Sequence, residues 1–145
     1  MTITLYTSIR QAQNEMNGKL KIKSMMIEDV VTVSGDITAK EAIDTLHHKH
    51  IGSIIVINEE RNCEGIFTER DAIRVVATDV PLNTPLKEVM TINPKTISQE
   101  ATFAMAKDVM RSNRIRHLPV TDSEGHLVGL LSFRAVLDEV HNMHT

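Results

Sequence analysis

The sequence predicts a mixed α/β (α+β) protein built from two copies of a strand-helix-strand-strand-helix unit that share a core. Three observations lead there. The chain repeats itself without a gap at an offset of 64 residues. Each copy carries short β-branched apolar runs and longer stretches of helical periodicity. One copy alone is too short to bury both faces of a sheet and its helices, so the two must pack together. The offset places Met26 on Met90, Thr32 on Thr96, Thr38 on Thr102, Ala42 on Ala106, Ile51 on Ile115, Gly65 on Gly129 and Arg70 on Arg134.

Each copy opens with an extended piece, residues 30–33 or 95–97, whose β-branched side chains suit a strand. A helix follows. Thr38 with Glu41 forms a capping box, Ala39, Ala42, Ile43 and Leu46 recur on one helical face, and Gly52 is expected to close the helix. In the second copy Thr102 opens the helix, Phe103, Ala106 and Met110 line its inner face, and a basic run over 111–116 covers its end. Strands over 53–57 and 65–67 then flank the polar turn 58–62, as strands over 118–121 and 128–131 flank the turn 122–125. The last helix starts at Thr68 or Ser132 as N-cap. It should bury Ala72, Val75 and Val76 in one copy and Val136, Leu137 and Val140 in the other.

The predicted organisation is an N-terminal tail over 1–22, a first repeat over 23–78, a linker over 79–86 and a second repeat over 87–141. Pro81, Asn83 and the Thr84-Pro85 pair mark the linker. In the tail, Ser8 and Gln11 form a capping box ahead of Ala12 and Met16, with Gly18 behind, which predicts a short extra helix.

Composition narrows the function. Of 145 residues 41% are hydrophobic, enough for a buried core. Sixteen Lys and Arg against nineteen Asp and Glu leave a net charge of -3, without the basic excess that nucleic acids and anionic membranes recruit. Cys63 is the only cysteine, so no internal disulfide forms. The apolar runs 54–57 and 103–106 fall far short of the roughly 20 residues that span a bilayer, and no basic start precedes a long apolar run. A cytoplasmic protein with neither membrane nor nucleic-acid partners is expected.

The residues that carry the repeat resemble the CBS-domain family over about residues 23–141. The resemblance rests on Ile51-Gly52-Ser53-Ile54-Ile55-Val56-Ile57, on Gly65-Ile66-Phe67-Thr68-Glu69-Arg70-Asp71, on Arg114-Ile115-Arg116-His117-Leu118-Pro119-Val120 and on Gly129-Leu130-Leu131-Ser132-Phe133-Arg134. It implies a tandem pair of repeats related by a pseudo-twofold axis, homodimers of such pairs, and ligand clefts between repeats. Members commonly sense AMP, ADP or ATP, and some take S-adenosylmethionine or NAD-type ligands. Many regulate an enzyme, channel or transporter, so an unknown regulated protein is an implied partner.

The family pattern Gly-apolar-x-Thr/Ser-x-x-Asp marks a nucleotide cleft, and it is complete at Thr68 and Asp71. The resemblance gives Asp71 the ribose hydroxyls and Thr68 a supporting role at ribose or phosphate. A carboxylate suits this task because it only accepts hydrogen bonds and can take two hydroxyl donors. The helix N-terminus behind Thr68 favours an anion. The simpler reading of the same pair is a Thr-x-x-Asp capping box. In the second copy the position of Asp71 is Ala135, which cannot hold a diol, so that cleft is expected to be degenerate. The resemblance brings phosphate-binding residues from the opposite repeat, at Arg116, His117 and Arg134, with Gly52, Ser53 and Arg70 as their counterparts in the other cleft. Val30, Val31, Ile54 and Ile66 are the expected walls for adenine, although core packing is the better explanation for each of them taken singly.

Other signals are weaker. His47, His48 and His50 crowd a helix end without a carboxylate or cysteine as third ligand, so no metal site is expected there. Cys63 matches Leu127 and reads as a small hydrophobe. No Gly-x-Ser-x-Gly or Walker loop is present, so no catalytic residue is assigned and the chain is not expected to be an enzyme. The expected function is a regulatory module that binds an adenine nucleotide and responds by a conformational or dimer change. The alternative is a constitutive dimerisation or scaffold module.

Overall fold

The computed structural model describes residues 19–134. Strands β1 (Thr32–Val33), β2 (Ser53–Ile57), β3 (Cys63–Thr68) and β4 (Thr91–Ile92) form one sheet in that order, and β5 (Ile97–Ser98), β6 (His117–Thr121) and β7 (Leu127–Ser132) form a second. Helices α1 (Ala39–Lys49), α2 (Glu69–Ala77) and α3 (Phe103–Asn113) connect them, and Phe133 and Arg134 begin a further helix. Each repeat thus runs strand, helix, parallel strand, then an antiparallel hairpin. The helix on the expected tail residues Ser8 to Met16, and the buried face assigned to Val136, Leu137 and Val140, lie outside the described residues.

Local chemistry repeats with the fold. Thr38 and Thr102 cap α1 and α3 by accepting hydrogen bonds from the backbone N–H of Glu41 and Met105, at 3.1 and 3.3 Å. In the hairpin turns Asn58 Oδ1 and Asp122 Oδ1 each accept two backbone N–H bonds at 2.9 Å, so the two side chains build the same turn. The expected stop at Gly52 is corrected. His50 (φ 54°) and Arg114 (φ 53°) end α1 and α3 in the left-handed conformation, two residues earlier than Gly52 and its counterpart. A left-handed residue is what aims a terminal N–H back at the last carbonyls, and here no glycine supplies it.

Ala39, Ala42, Leu46, Ile54, Val56, Phe67 and Val75 form the core beneath the first sheet, and Phe103, Ala106, Met110, Leu118, Val120 and Leu131 form the core beneath the second. A third cluster, Ile55, Ile66, Leu127 and Leu130, joins the two sheets, which is the shared core the repeat required. Val76 departs from expectation. It is 63% exposed, because the inward face of α2 is taken by Val75 and Asp71.

The segments that precede the repeats are exchanged. Leu86 and Val89, which lead into the second repeat, pack in the first core, and β4 pairs with β3 through Gly65↔Ile92 and Ile66↔Thr91. Ile22, at the end of the expected tail, is fully buried in the second core, and Ile27 bridges Leu130. Since Ile27 and Leu130 are the repeat counterparts of Thr91 and Ile66, the exchange is reciprocal. It brings residues 91–95 beside Thr68.

Candidate functional site

A cavity of about 610 Å³ opens where the two repeats meet, within the size range of small-ligand sites. Its centre is the junction of β3 and α2. Thr68 is the last residue of β3 and holds extended backbone (φ -112°, ψ 171°), which turns the chain into the helix. Asp71 stands one turn later and is 8% exposed.

The pair forms a complete capping box. Asp71 Oδ2 accepts from Thr68 N–H at 2.9 Å and from the Thr68 hydroxyl at 3.2 Å, while the Asp71 N–H donates to Thr68 Oγ1 at 3.3 Å. Asp71 Oδ1 is held more loosely. Its partners are Arg74 Nη2 and the Thr91 hydroxyl, both at 3.4 Å, and that guanidinium makes a shorter 2.6 Å bond to the Val89 carbonyl. One carboxylate oxygen therefore serves the helix, and the other faces the cavity with only long contacts.

The opposite wall comes from the second repeat. Arg116 and His117, where the chain enters β6, and Asn113 to Ile115 at the end of α3 line the cavity. His117 packs over Gly52: a Cβ built on that glycine would stand 3.1 Å from His117 Nε2. Burial pushes the His117 pKa down; Glu69 opposes that shift and Arg116 adds to it, so the imidazole favours the neutral form. The Arg116 guanidinium lies 5.5 Å over the Phe133 ring, a cation–π contact that orients it without neutralising it.

Of the residues named from sequence, Thr68, Asp71, Ile66, Arg116 and His117 line this one cavity. Four do not. Ile54 and Val31 belong to the core beneath the first sheet, and Val30 packs in the cluster between the sheets. Because the leading segments are exchanged, the wall expected at Val30 and Val31 is formed by their counterparts Pro94 and Lys95, with Thr91 and Asn93. Arg134 is exposed and not part of the lining, whereas Arg70, assigned to the other cleft, is. Each arginine sits one position before its own repeat's Asp71 or Ala135 and stays with its own helix. Ala135 lies outside the described residues. Sequence reasoning missed Thr91, Asn93 and Lys95, whose only signal was the repeat offset combined with the exchange, and Asn113 and Arg114, which lie just before Arg116 at the end of α3.

The cluster of possible metal ligands found among the described residues lies outside this cleft. Among the described residues, Asp122, Glu124 and His126 place their ligand atoms within 4.8 Å of one another, but they sit in the β6–β7 turn, where Asp122 already caps backbone N–H groups. Cys63 is half-buried, and burial pushes its thiol up to about 11, so it is unreactive. No helix among the described residues is long and apolar enough to cross a membrane.

The arrangement recurs in known proteins. The chain is 30% identical over 125 residues to an uncharacterized 17.7 kDa protein of Acidianus ambivalens, covering 86% of this chain and 76% of that one. It is also 30% identical over 130 residues to the inosine-5'-monophosphate dehydrogenase of Methanocaldococcus jannaschii, which covers 90% of this chain but only 25% of the enzyme. A CBS domain protein from Pyrobaculum aerophilum, solved in complex with AMP, shares the fold with a TM-score of 0.77 and 24% identity, over 85% of this chain and 99% of that one. The CBS domain family model matches residues 22–78 and 86–142. With both repeats matched and the exchanged sheets in place, the chain belongs to the CBS-domain family as a tandem pair.

Proposed function

We propose that this chain is a non-catalytic regulatory module that binds an adenine nucleotide in the cleft between its repeats. The observation that carries this reading is the pairing across one cavity of a buried carboxylate, Asp71, whose Oδ1 makes only long contacts, with Arg116 and His117 from the other repeat. A ribose diol can replace the two 3.4 Å contacts on Oδ1 with shorter bonds, and the N-terminus of α2 and the guanidinium can take phosphate. The AMP-bound structural neighbour supports this ligand class. Tandem CBS pairs are generally regulatory, which supports the same reading.

Signalling requires a ligand that binds two states unequally. The cleft is lined from both repeats, so a ligand bridging Asp71 and Arg116 favours one angle between them. A homodimer would transmit that angle. Its seat in this reading is the outer face of α2, where Ile73 and Val76 are 69% and 63% exposed beside Ala72 and Ala77. A cytoplasmic location fits this role.

The test is a thermal-shift panel with AMP, ADP, ATP, NAD and S-adenosylmethionine on the wild type and Asp71→Ala. Ligand at about 100 times its dissociation constant adds roughly 2.7 kcal/mol of stability. Adenine nucleotides should raise the wild-type midpoint and leave the variant unmoved. No response from the wild type, with no nucleotide co-purifying, would instead favour the scaffold reading, in which Asp71 acts only as the cap of α2.

A further inference from the structure

Asp71 does not take its counter-charge from the cleft. Arg70, Lys95, Arg114 and Arg116 line the cavity around it, yet among the described residues Arg74 is the one cation within ion-pair distance, its Nη2 standing 3.4 Å from Asp71 Oδ1. Arg74 is not part of the cavity lining. It lies three residues further along α2, and the same Nη2 donates to the Val89 carbonyl at 2.6 Å. Val89 is buried in the first core, within the exchanged segment that leads to Thr91, whose hydroxyl meets the same Oδ1. The guanidinium is thus held by the backbone of that segment and reaches the carboxylate from outside the cavity.

The second repeat lacks both members of the pair. At the 64-residue offset Asp71 falls on Ala135 and Arg74 falls on Asp138, so the copy without the carboxylate also carries the opposite charge at the position of the arginine. Taking a carboxylate out of water is costly unless an opposite charge accompanies it. A cation drawn from the cavity would meet that demand by occupying the oxygen a ligand needs. An arginine committed to the Val89 carbonyl meets it while leaving only a long contact on Oδ1. Building on the nucleotide reading above, we propose that Arg74 is the positioning residue of this site: it balances the charge of Asp71 from outside the cavity, keeps Oδ1 turned to the cleft, and so sets the selectivity for a ribose diol.

The test is isothermal titration of the full chain with AMP and ATP, each beside its 2′-deoxy and 3′-deoxy counterpart, repeated on Arg74→Gln and Arg74→Lys. Glutamine keeps an N–H donor and loses the charge, lysine keeps the charge, and thermal melts without ligand check that both variants fold. The wild type should bind the ribonucleotide about tenfold or more tighter than at least one deoxy counterpart, the worth of one hydrogen bond to a charged group. Arg74→Gln should lose most of that preference, and Arg74→Lys should recover most of it. An unchanged preference in Arg74→Gln, an equal loss for every ligand, or a lysine variant no better than the glutamine one overturns the assignment of Arg74 and leaves the nucleotide reading intact. A wild type that binds AMP or ATP without preferring the diol overturns it too, by taking the ribose away from Asp71. Binding of neither nucleotide by the wild type would overturn the nucleotide reading and the assignment together.

Discussion

Thr91 reaches Asp71 across the boundary between the repeats: its hydroxyl donates to Asp71 Oδ1 at 3.4 Å, although twenty residues and the linker separate the two. The contact exists because β4 leaves its own repeat to pair with β3. Asp71 thus has two duties, one on each oxygen, and they can be separated by mutation.

Asp71→Asn retains a side-chain oxygen that can accept from the Thr68 N–H, so the capping box survives and stability should fall by less than about 0.5 kcal/mol. Asp71→Ala removes the reciprocal half of the capping box, the bond from the Thr68 N–H, and should cost about 1 kcal/mol. Both should lose nucleotide binding by at least about tenfold, because neither presents a charged acceptor to a diol. Urea melts alongside nucleotide titrations check this. Full nucleotide affinity in Asp71→Asn would assign the ribose elsewhere.

Gly129 is fitted against the exchanged N-terminal segment. A Cβ there would stand 2.6 Å from Met26 Sδ and 3.0 Å from the Ile27 carbonyl, which is hydrogen-bonded to the Leu130 N–H. Gly129→Ala should destabilise by about 1 to 3 kcal/mol. At Gly65 the equivalent neighbours are all atoms of the flexible Met90 side chain, so Gly65→Ala should cost less. Thermal melts of the two variants rank them, and equal costs would mean that the Ile27 carbonyl yields.

Burial holds the His117 pKa below its ordinary value of 6.5, with Glu69 raising it and Arg116 lowering it further. Between the folded value and 6.5 the unfolded chain binds more protons, so stability rises with pH. The His117 contribution is complete above about pH 6.5 and is lost as pH falls through that window. Subtracting the urea midpoints of His117→Gln from those of the wild type, between about pH 5 and 7.5, should reveal this slope. An anion bound beside the ring should shrink it by favouring the imidazolium.

The exposed Val76 offers a direct test of the dimer. Val76→Glu places a charge on the outer face of α2, where it disturbs no core contact, so monomer stability should change by no more than about 0.5 kcal/mol. Sedimentation of wild type and variant should show a dimer converted to a monomer. A variant that stays dimeric would put the contact on another surface.

Much of this molecule is readable along the chain because the information is local or repeated. The 64-residue offset, the threonine caps and the β-branched runs are properties of short stretches, and they placed β1 to β3, β5 to β7 and the helices α1 to α3 to within a few residues, while β4 was not foreseen. Thr68 and Asp71 stood out through their spacing together with the family pattern, and Arg116 and His117 through the resemblance alone, which brings them to the same cleft. The departures have two causes. Val30 and Val31 were expected to line the cleft, where the structure places their counterparts Pro94 and Lys95. Arg134 was chosen over Arg70, and Val76 was expected inside.

The wall at residues 94 and 95 depends on which repeat a segment packs against, which backbone pairing between distant strands decides, whereas Arg70 and Val76 follow the faces of their own helix α2. Ile22 shows it most simply: its neighbours in sequence lead into the first repeat, yet it fills the second core beside Phe103 and Leu118. An isoleucine reads the same in either core. The sequence by itself determined two units, their elements and the Thr68/Asp71 pair at the start of a helix; the tertiary structure decided that the units exchange their leading segments and so which residues line the cavity around Asp71. That choice belongs to the packing because apolar burial is non-directional, whereas strand pairing and close approach at Gly65 and Gly129 admit only one partner segment each.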